Sequence, residues 1–561
     1  MAEISLEEKV QRLELVQRVG VALSAERNRD RLLETILGEA QKLCNADGGT
    51  LYLRTEDDHL RFTILRSESL GTNLGGTTGK PIHFPTIPLF DADTKRPNMR
   101  NVATYCAVTK RTINIPDAYH ASGFDFSGTQ DFDRRNNYRS QSFLTIPMVN
   151  QEDTVIGVLQ LINARDRESA QIVPFREEDV DVVNALASQA AVALDNQQLL
   201  EQQRELLESF IQAIASAIDA KSPHTGAHCE RVPLLTVMLA EAVVAEGQGP
   251  LADFTLNEDE LYELKIAAWM HDCGKVTTPV HVIDKARKLE AIVDRMQMVR
   301  TRYEVLKRDA EIAHLERLVN GADRGESTAQ REAARAQLEA ELDFLEKANV
   351  GAEFLAPEAQ ARIAELAQRT YEEGSARRRL LSDDEVENLS ISRGTLTQAE
   401  RVIINRHMVE TIKMLEALPF PRNLRRVPEY AGGHHEKMDG KGYPKGLYAG
   451  DMSIPARIMA IADVFEALTA QDRPYKQAMR LSEAMRIMGF MKRDNHLDAD
   501  LFDVFVRSGV YRRYGERYLP IELLDEVDEA GLLAIAPKPF ELPPAEERQK
   551  RWRGFIAPYD E

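Results

Sequence analysis

Histidines and carboxylates gather in five short clusters of this chain, and nine of its twelve histidines lie between His224 and His496. The first cluster is Ser222-Pro223-His224-Thr225-Gly226-Ala227-His228. Two histidines four residues apart share one face of a helix and can reach one metal position. Ser222 and Pro223 suit the N-cap and first position of that helix. The second cluster, Trp269-Met270-His271-Asp272-Cys273-Gly274-Lys275, sets an imidazole beside a carboxylate able to bridge two ions. In it Gly274 lets the chain turn, and Lys275 is a point charge for a phosphate oxygen. His407 follows in a helical run from Gln398, then His434-His435-Glu436-Lys437-Met438-Asp439-Gly440-Lys441-Gly442-Tyr443-Pro444, and last Asp463. A lone histidine is more often a core or surface residue than a ligand, so the clusters count only together. Mixed histidine and carboxylate ligation suits iron, manganese or zinc better than magnesium or calcium. Two such ions side by side lower the pKa of a shared water for in-line attack on phosphorus.

The remaining histidines and the thiols lack such company. Cys229 and Cys273 neighbour the clusters but read as small buried thiols. His59, His83, His120, His281, His314 and His496 have no matching partners and stay outside the candidate site.

The elements that must position these residues follow from periodicity. An apolar helix from Leu264 to Met270 delivers His271. Upstream, Leu186, Ala190, Ala193, Gln197, Leu200, Arg204, Leu207, Ile211, Ile214 and Ile218 recur in steps of three and four, the stripe of a signalling coiled coil and of a parallel dimer. Residues 287–393, rich in Ala, Glu, Arg and Leu, read as a helical insertion without a catalytic motif. The first third of the chain alternates helical and strand patterns. Its clearest pair is Phe143 to Val149 and Val155 to Ile162, a hairpin across Asn150-Gln151-Glu152-Asp153. A helix carrying Leu33, Ile36, Leu37 and Ala40 precedes a first strand around Thr50 to Leu53, giving an α+β domain, while Gly71 to Asn101 reads as loop.

Bulk properties bound the rest. A chain of 561 residues exceeds one hydrophobic core, so two or three domains are expected. Acidic residues outnumber basic ones 90 to 71, a formal net charge of −19, which argues against a nucleic-acid polymer as partner. Four scattered cysteines (Cys44, Cys106, Cys229, Cys273) fit a reducing compartment, and neither a signal peptide nor a membrane span is evident, so the expected location is the cytoplasm.

The His-Asp-x-Gly-Lys run, the His434-His435 doublet, the Gly442-Tyr443-Pro444 loop and the later Asp463, in this order, resemble the HD-GYP family over residues 205–510. The order Ile113-Asn114-Ile115-Pro116-Asp117, Tyr138-Arg139-Ser140-Gln141-Ser142, Ile146-Pro147-Met148 and Gly157-Val158-Leu159-Gln160-Leu161-Ile162-Asn163 resembles a GAF domain over residues 25–195. The first resemblance implies an all-α metal-dependent hydrolase of a cyclic dinucleotide, cyclic di-GMP to pGpG or GMP, with 3′,3′-cyclic GMP-AMP hydrolysis or mere dinucleotide binding as alternatives. It implies His228, His271, Asp272, His407, His434, His435 and Asp463 as ligands of two ions, iron or manganese in the first place, with Asp272 bridging. His224 stands where three-metal members carry Glu, and an imidazole there is competent to hold a third ion. Lys275, Arg473 and Lys476 match phosphate contacts, Asp272 and Lys275 the catalytic positions. The second resemblance implies a sensor with a small-molecule ligand. Of the Asn-Lys…Phe-x-x-x-Asp-Glu signature of nucleotide-binding members, Asn163, Phe175 and Asp179 are present, while Ala164 and Val180 replace Lys and Glu. The expected layout is an N-terminal helix (1–24), the GAF domain (25–195), a coiled-coil linker helix (186–221), the HD-GYP domain (205–510) interrupted at about 287–393, and an extension (511–561), assembled as a homodimer.

Overall fold

The computed structural model describes residues 17–18, 20–22, 26, 28–221, 228–351, 354–470 and 479–548, in two compact units, Met1–Leu206 and Leu207–Glu561. Most of the expected N-terminal helix (1–24) therefore lies outside the described residues.

The first unit is built on an antiparallel sheet. Its strands are β1 (Ala46–Arg54), β2 (His59–Ser67), β3 (Thr72–Gly75), β4 (Ile87–Pro88), β5 (Ile113–Ile115), β6 (Phe143–Val149), β7 (Val155–Arg165) and β8 (Ile172–Val173), in the order β3-β2-β1-β7-β6-β5, with β4 on β2 and β8 on β7. The β6–β7 hairpin falls where the alternation placed it, with Leu144 opposite Leu161 and Ile146 opposite Leu159. β1 is longer than its expected Thr50–Leu53, running from Ala46 through Gly48 and Gly49. At Gly49 a Cβ would lie 2.7 Å from Leu37 Cδ1 and 3.1 Å from the Gln160 carbonyl, so a helix packs where a side chain would stand. The expected loop at Gly71–Asn101 holds β3 and β4, short edge strands whose residues do not alternate and so leave no period-two signal.

The two sheet faces are filled by different partners. Leu51, Leu53, Leu144, Ile146, Met148, Leu159 and Leu161 are buried against the helix Arg29–Cys44 and against Val183, Leu186, Ala187 and Ala190 of a long helix, Glu177–Asp219. On the other face Tyr52 and Val158 pack with Ala103 and Cys106 of the helix Val102–Thr109. There Gln160 accepts from the Tyr52 hydroxyl (3.1 Å) and donates to Thr145 Oγ1 (3.0 Å), which satisfies a buried amide. Asn163, in the left-handed region (φ 57°), accepts from Gln141 N–H (2.7 Å) and donates to the Arg139 carbonyl (2.8 Å), while Asp179 pairs with Arg176. Asn163 and Asp179, two of the three signature residues present, thus carry structural bonds within the domain.

The long helix contributes Leu186 and Ala190 to the core of the first unit and Ile211 to that of the second. Between and beyond them Leu199, Leu200, Leu206, Leu207, Phe210 and Ile214 are exposed. The periodic stripe of the sequence is therefore divided: its ends are consumed by the chain's own cores, and its middle is uncovered.

The second unit is helical. Val232, Leu235 and Leu239 of His228–Glu246, Leu264 and Ala267 of Glu258–Met270, Leu415 of Gln398–Glu416, Ile458, Ile461 and Phe465 of Ile454–Thr469, and Phe502 and Phe505 of Ala499–Arg507 share one core. The insertion has its own core, in which Tyr303 of Met296–Val319 and Leu338 and Leu345 of Arg324–Asn349 meet Leu366, Leu380 and Leu389. It is not wholly helical: Thr370–Glu373 and Ala376–Arg379 form a hairpin. Lys285 ties the insertion down, its ammonium donating to Asn388 Oδ1 and to both Glu400 oxygens, each at 2.7 Å. The C-terminal extension turns back on the unit, Lys538 O accepting from Asn495 Nδ2 (2.7 Å) and Phe540 stacking on Tyr448. Among the described residues no helix is long and apolar enough to cross a membrane.

Candidate metal centre

Five helices and a turn converge on one buried point. The helix Glu258–Met270 starts at a capping box between Asn257 and Glu260 and ends at His271. Asp272 then opens a tight turn, Cys273–Thr277, that lies against the helix Gln398–Glu416. A Cβ at Gly274 would sit 2.0 Å from the His407 carbonyl oxygen, and Gly274 N–H donates to Thr411 Oγ1 at 2.9 Å. The glycine is thus required for close approach of two backbones rather than for a turn, which corrects the reading from sequence. That approach brings Asp272 beside His407. His434 and His435 follow the short helix Val427–Gly432, Asp463 stands on Ile454–Thr469, and His228 stands on His228–Glu246.

The donors form two sets that share Asp272: His228, His271, Asp272 and Asp463, and Asp272, His407, His434 and His435, each with ligand atoms within 4.8 Å of one another. His271 Nε2 lies 3.1 Å from Asp272 Oδ2 and 3.7 Å from Asp463 Oδ1, and His228 Nε2 lies 3.4 Å from Asp463 Oδ1. On the other side His407 Nε2 is 3.2 Å and His434 Nε2 is 3.9 Å from Asp272 Oδ1. The Nδ1 atoms of His271, His407 and His434 meet the carbonyls of Ala268, Ile404 and Ala431, so each ring presents Nε2 to the centre. His271 Nε2, His407 Nε2, His434 Nε2 and Asp272 Oδ1 are buried without a hydrogen-bond partner. Leaving such atoms unsatisfied costs about 1–3 kcal/mol each, and a cation in each donor set removes the deficit. The residues fit divalent metal ions.

The electrostatics of the two sets differ. Burial lowers the proton affinity of His228 and His271, but Glu466, Asp272 and Asp463 outweigh it and hold them up at about 9 and about 10. Burial and neighbouring imidazoles push His434 down to about 4 and His435 well below the usual range. Asp272 and Asp463 stay ionised although burial opposes it, Asp272 through Lys275 and His271, Asp463 through His271 and His434. The Lys275 ammonium lies 2.5 Å from Asp272 Oδ2. It lines a pocket with Asp219, Lys221 and Cys229 beside the centre.

Gly442 and Tyr443 shape the loop after the doublet. A Cβ at Gly442 would lie 2.4 Å from Glu436 Cα, Tyr443 N–H donates to the His435 carbonyl (3.2 Å), and the Tyr443 ring stacks on His435 at 4.8 Å. Pro444 follows through a cis peptide bond. Glu436 is buried and accepts from the N–H groups of Lys445 (2.6 Å) and Leu447 (2.9 Å), which closes the loop. His224, Arg473 and Lys476 lie outside the described residues, as do Ser222 and Pro223. The cysteines are all buried and free, Cys229 beside Asp219. His314 is buried in the insertion on Ser327 (2.7 Å), and His59 and His120 face Asp57 and Asp117.

Two residues escaped the sequence reading. Glu466 Oε2 meets His228 Nδ1, and Glu466 Oε1 accepts from Arg231. The one available signal was an acidic residue three positions after Asp463, on a helix whose other buried positions are apolar apart from Thr469.

Residues 28–194 match the family model of the GAF domain and residues 379–501 that of the HD domain. The latter span holds His407, His434, His435 and Asp463, while the insertion separates it from His271 and Asp272. Over 115 residues the chain is 44% identical to the 3′3′-cGAMP-specific phosphodiesterase 1 of Vibrio cholerae, covering 20% of this chain and 26% of that protein. Over 119 residues it is 37% identical to a cyclic di-GMP phosphodiesterase of Pseudomonas aeruginosa, 21% of this chain and 28% of that protein. A cyclic di-GMP phosphodiesterase response regulator of Xanthomonas campestris is 34% identical over 115 residues, 20% of this chain and 30% of that protein. The chain thus spans less than a third of the length of each of these relatives. It joins a region that matches the GAF domain to a helical region that matches the HD domain over residues 379–501.

Proposed function

We propose that the second unit is a divalent-metal phosphodiesterase that hydrolyses a cyclic dinucleotide, with cyclic di-GMP yielding pGpG or GMP. The observation that carries the reading is the pair of four-donor sets sharing Asp272, buried and with orphaned nitrogens aimed inward. In this reading His228, His271 and Asp463 hold one ion and His407, His434 and His435 the other, with Asp272 between them. The imidazole-rich donor set favours iron or manganese over the harder magnesium and calcium, with zinc next. Bound there, two ions supply Lewis acidity and a water of lowered pKa. The chain's own part is positioning and charge. Lys275, with Arg473 and Lys476, binds phosphate oxygens, and Lys275 offsets charge as it grows on them. Tyr443 steadies the His435 ring by stacking.

The second substrate reading is 3′,3′-cyclic GMP-AMP, favoured by the relative that is 44% identical and carries that specificity in its name. We further read the first unit, residues 25–195, as a small-molecule sensor acting through the helix at 186–221 on a phosphodiesterase domain at 205–510, in a cytoplasmic homodimer. The exposed Leu199, Leu200, Leu206, Leu207 and Phe210 support a second copy of the chain as the partner. Turnover of both dinucleotides by protein reconstituted anaerobically with Fe(II) or Mn(II) tests the function. Linear or mononucleotide product is expected, and the ratio of the two kcat/KM values ranks the substrates. Bound but uncleaved dinucleotide at full metal occupancy would contradict catalysis and favour a binding protein.

A further inference from the structure

His228 is held differently from the other candidate ligands. His271, His407 and His434 each set Nδ1 against a carbonyl three residues earlier. The Nδ1 of His228 meets instead the Oε2 of Glu466, one turn beyond Asp463 on the helix Ile454–Thr469. Glu466 is 1% exposed, and its other oxygen takes the Arg231 guanidinium at 2.7 Å. Both oxygens are therefore committed, and Arg231 fixes the carboxylate's rotation while balancing its charge. His228 Nε2 then points between Asp463 Oδ1 (3.4 Å) and Asp272 Oδ2 (3.6 Å).

A carboxylate behind a ligand imidazole fixes its tautomer and strengthens the far nitrogen as a donor more than a carbonyl does. Asp463 adds a ligand charge on the same side, while the opposite set has three imidazoles and only the shared carboxylate. We infer that Glu466, clamped by Arg231, is a positioning residue that orients His228 and makes the His228–His271–Asp463 position the tighter of two unequal metal positions. The inference rests on the metal-centre reading above.

The test is titration of Mn(II) alone into metal-free full-length protein, followed by calorimetry and by the Mn(II) paramagnetic resonance signal. Wild type is expected to bind two ions with separate affinities. In Glu466→Gln the amide oxygen goes to Arg231 and its NH₂ faces His228, forcing the proton onto Nε2. The tighter position should then weaken by about 10–100-fold, with the weaker one changed by less than about twofold. A merely structural role would shift both positions or neither. Should Glu466→Gln not fold, Glu466→Asp decides, because its shorter side chain withdraws from Nδ1 and should weaken the same position alone. Two unchanged affinities in the variant that folds would overturn the inference and leave the metal centre standing. Wild type that binds no Mn(II) would overturn both.

Discussion

Lys275 and Gly274 show how differently neighbouring residues can serve one centre. The ammonium of Lys275 touches Asp272, and in the proposed reading its charge sits where phosphate oxygens arrive. Lys275→Met should lower kcat by on the order of 10²-fold while metal analysis still finds two ions per chain. Loss of the ions with the charge would assign Lys275 to holding the centre together instead. Gly274 carries no chemistry, yet it has no room for a methyl group. Gly274→Ala should cost about 1–3 kcal/mol of stability in urea unfolding and should reduce turnover, because the Asp272 turn must move away from His407. At this scale the sequence was most informative. Seven donors could be named because the histidine and aspartate motifs, in their order, resemble those of the HD-GYP family, and the structure brings all seven together. Glu466 and Arg231 could not be named, because a carboxylate three residues after Asp463 looks like any helical surface charge until its burial is known. Gly274 was noticed for the wrong reason, since close approach of two backbones is a tertiary fact.

Elements reveal which regularities speak for themselves. The β6–β7 hairpin and the helices of the insertion were legible because alternation and amphipathic spacing record one buried face. The hairpin at 370–379 was not, since its strands expose most of their charged residues and bury almost nothing. Lys285 joins the insertion, at Asn388, to the helix bearing His407, at Glu400. Burial raises the proton affinity of Glu400, but Lys285 and the Thr397 N–H outweigh it and hold the carboxyl below its ordinary 4.5. A carboxylate whose folded pKa is depressed contributes stability that is complete above its unfolded pKa and is lost as pH falls through the folded value. The tie should therefore be intact above pH 4.5 and weaken below it. Thermal unfolding followed on the acid side should fall less steeply in Glu400→Gln than in wild type, and parallel curves would remove the tie from the account.

The whole molecule poses the question of what covers the middle of the long helix. Its apolar stripe was read from sequence as a single seam, but periodicity cannot distinguish a partner helix from the chain's own core, and here both ends of the seam are spent on the latter. Leu200 and Phe210 remain 66% and 60% exposed, and in the proposed reading a second copy covers them. Light scattering of Leu200→Glu/Phe210→Glu should give a monomer where wild type gives a dimer; an unchanged mass would move the dimer interface elsewhere. The central claim, however, concerns the buried point where two donor sets meet. Its most direct measurement is turnover of cyclic di-GMP and 3′,3′-cyclic GMP-AMP by metal-reconstituted wild type and Asp272→Ala, since that carboxylate belongs to both sets. Hydrolysis by wild type that vanishes in the variant is the predicted result. Full hydrolysis by Asp272→Ala would contradict it.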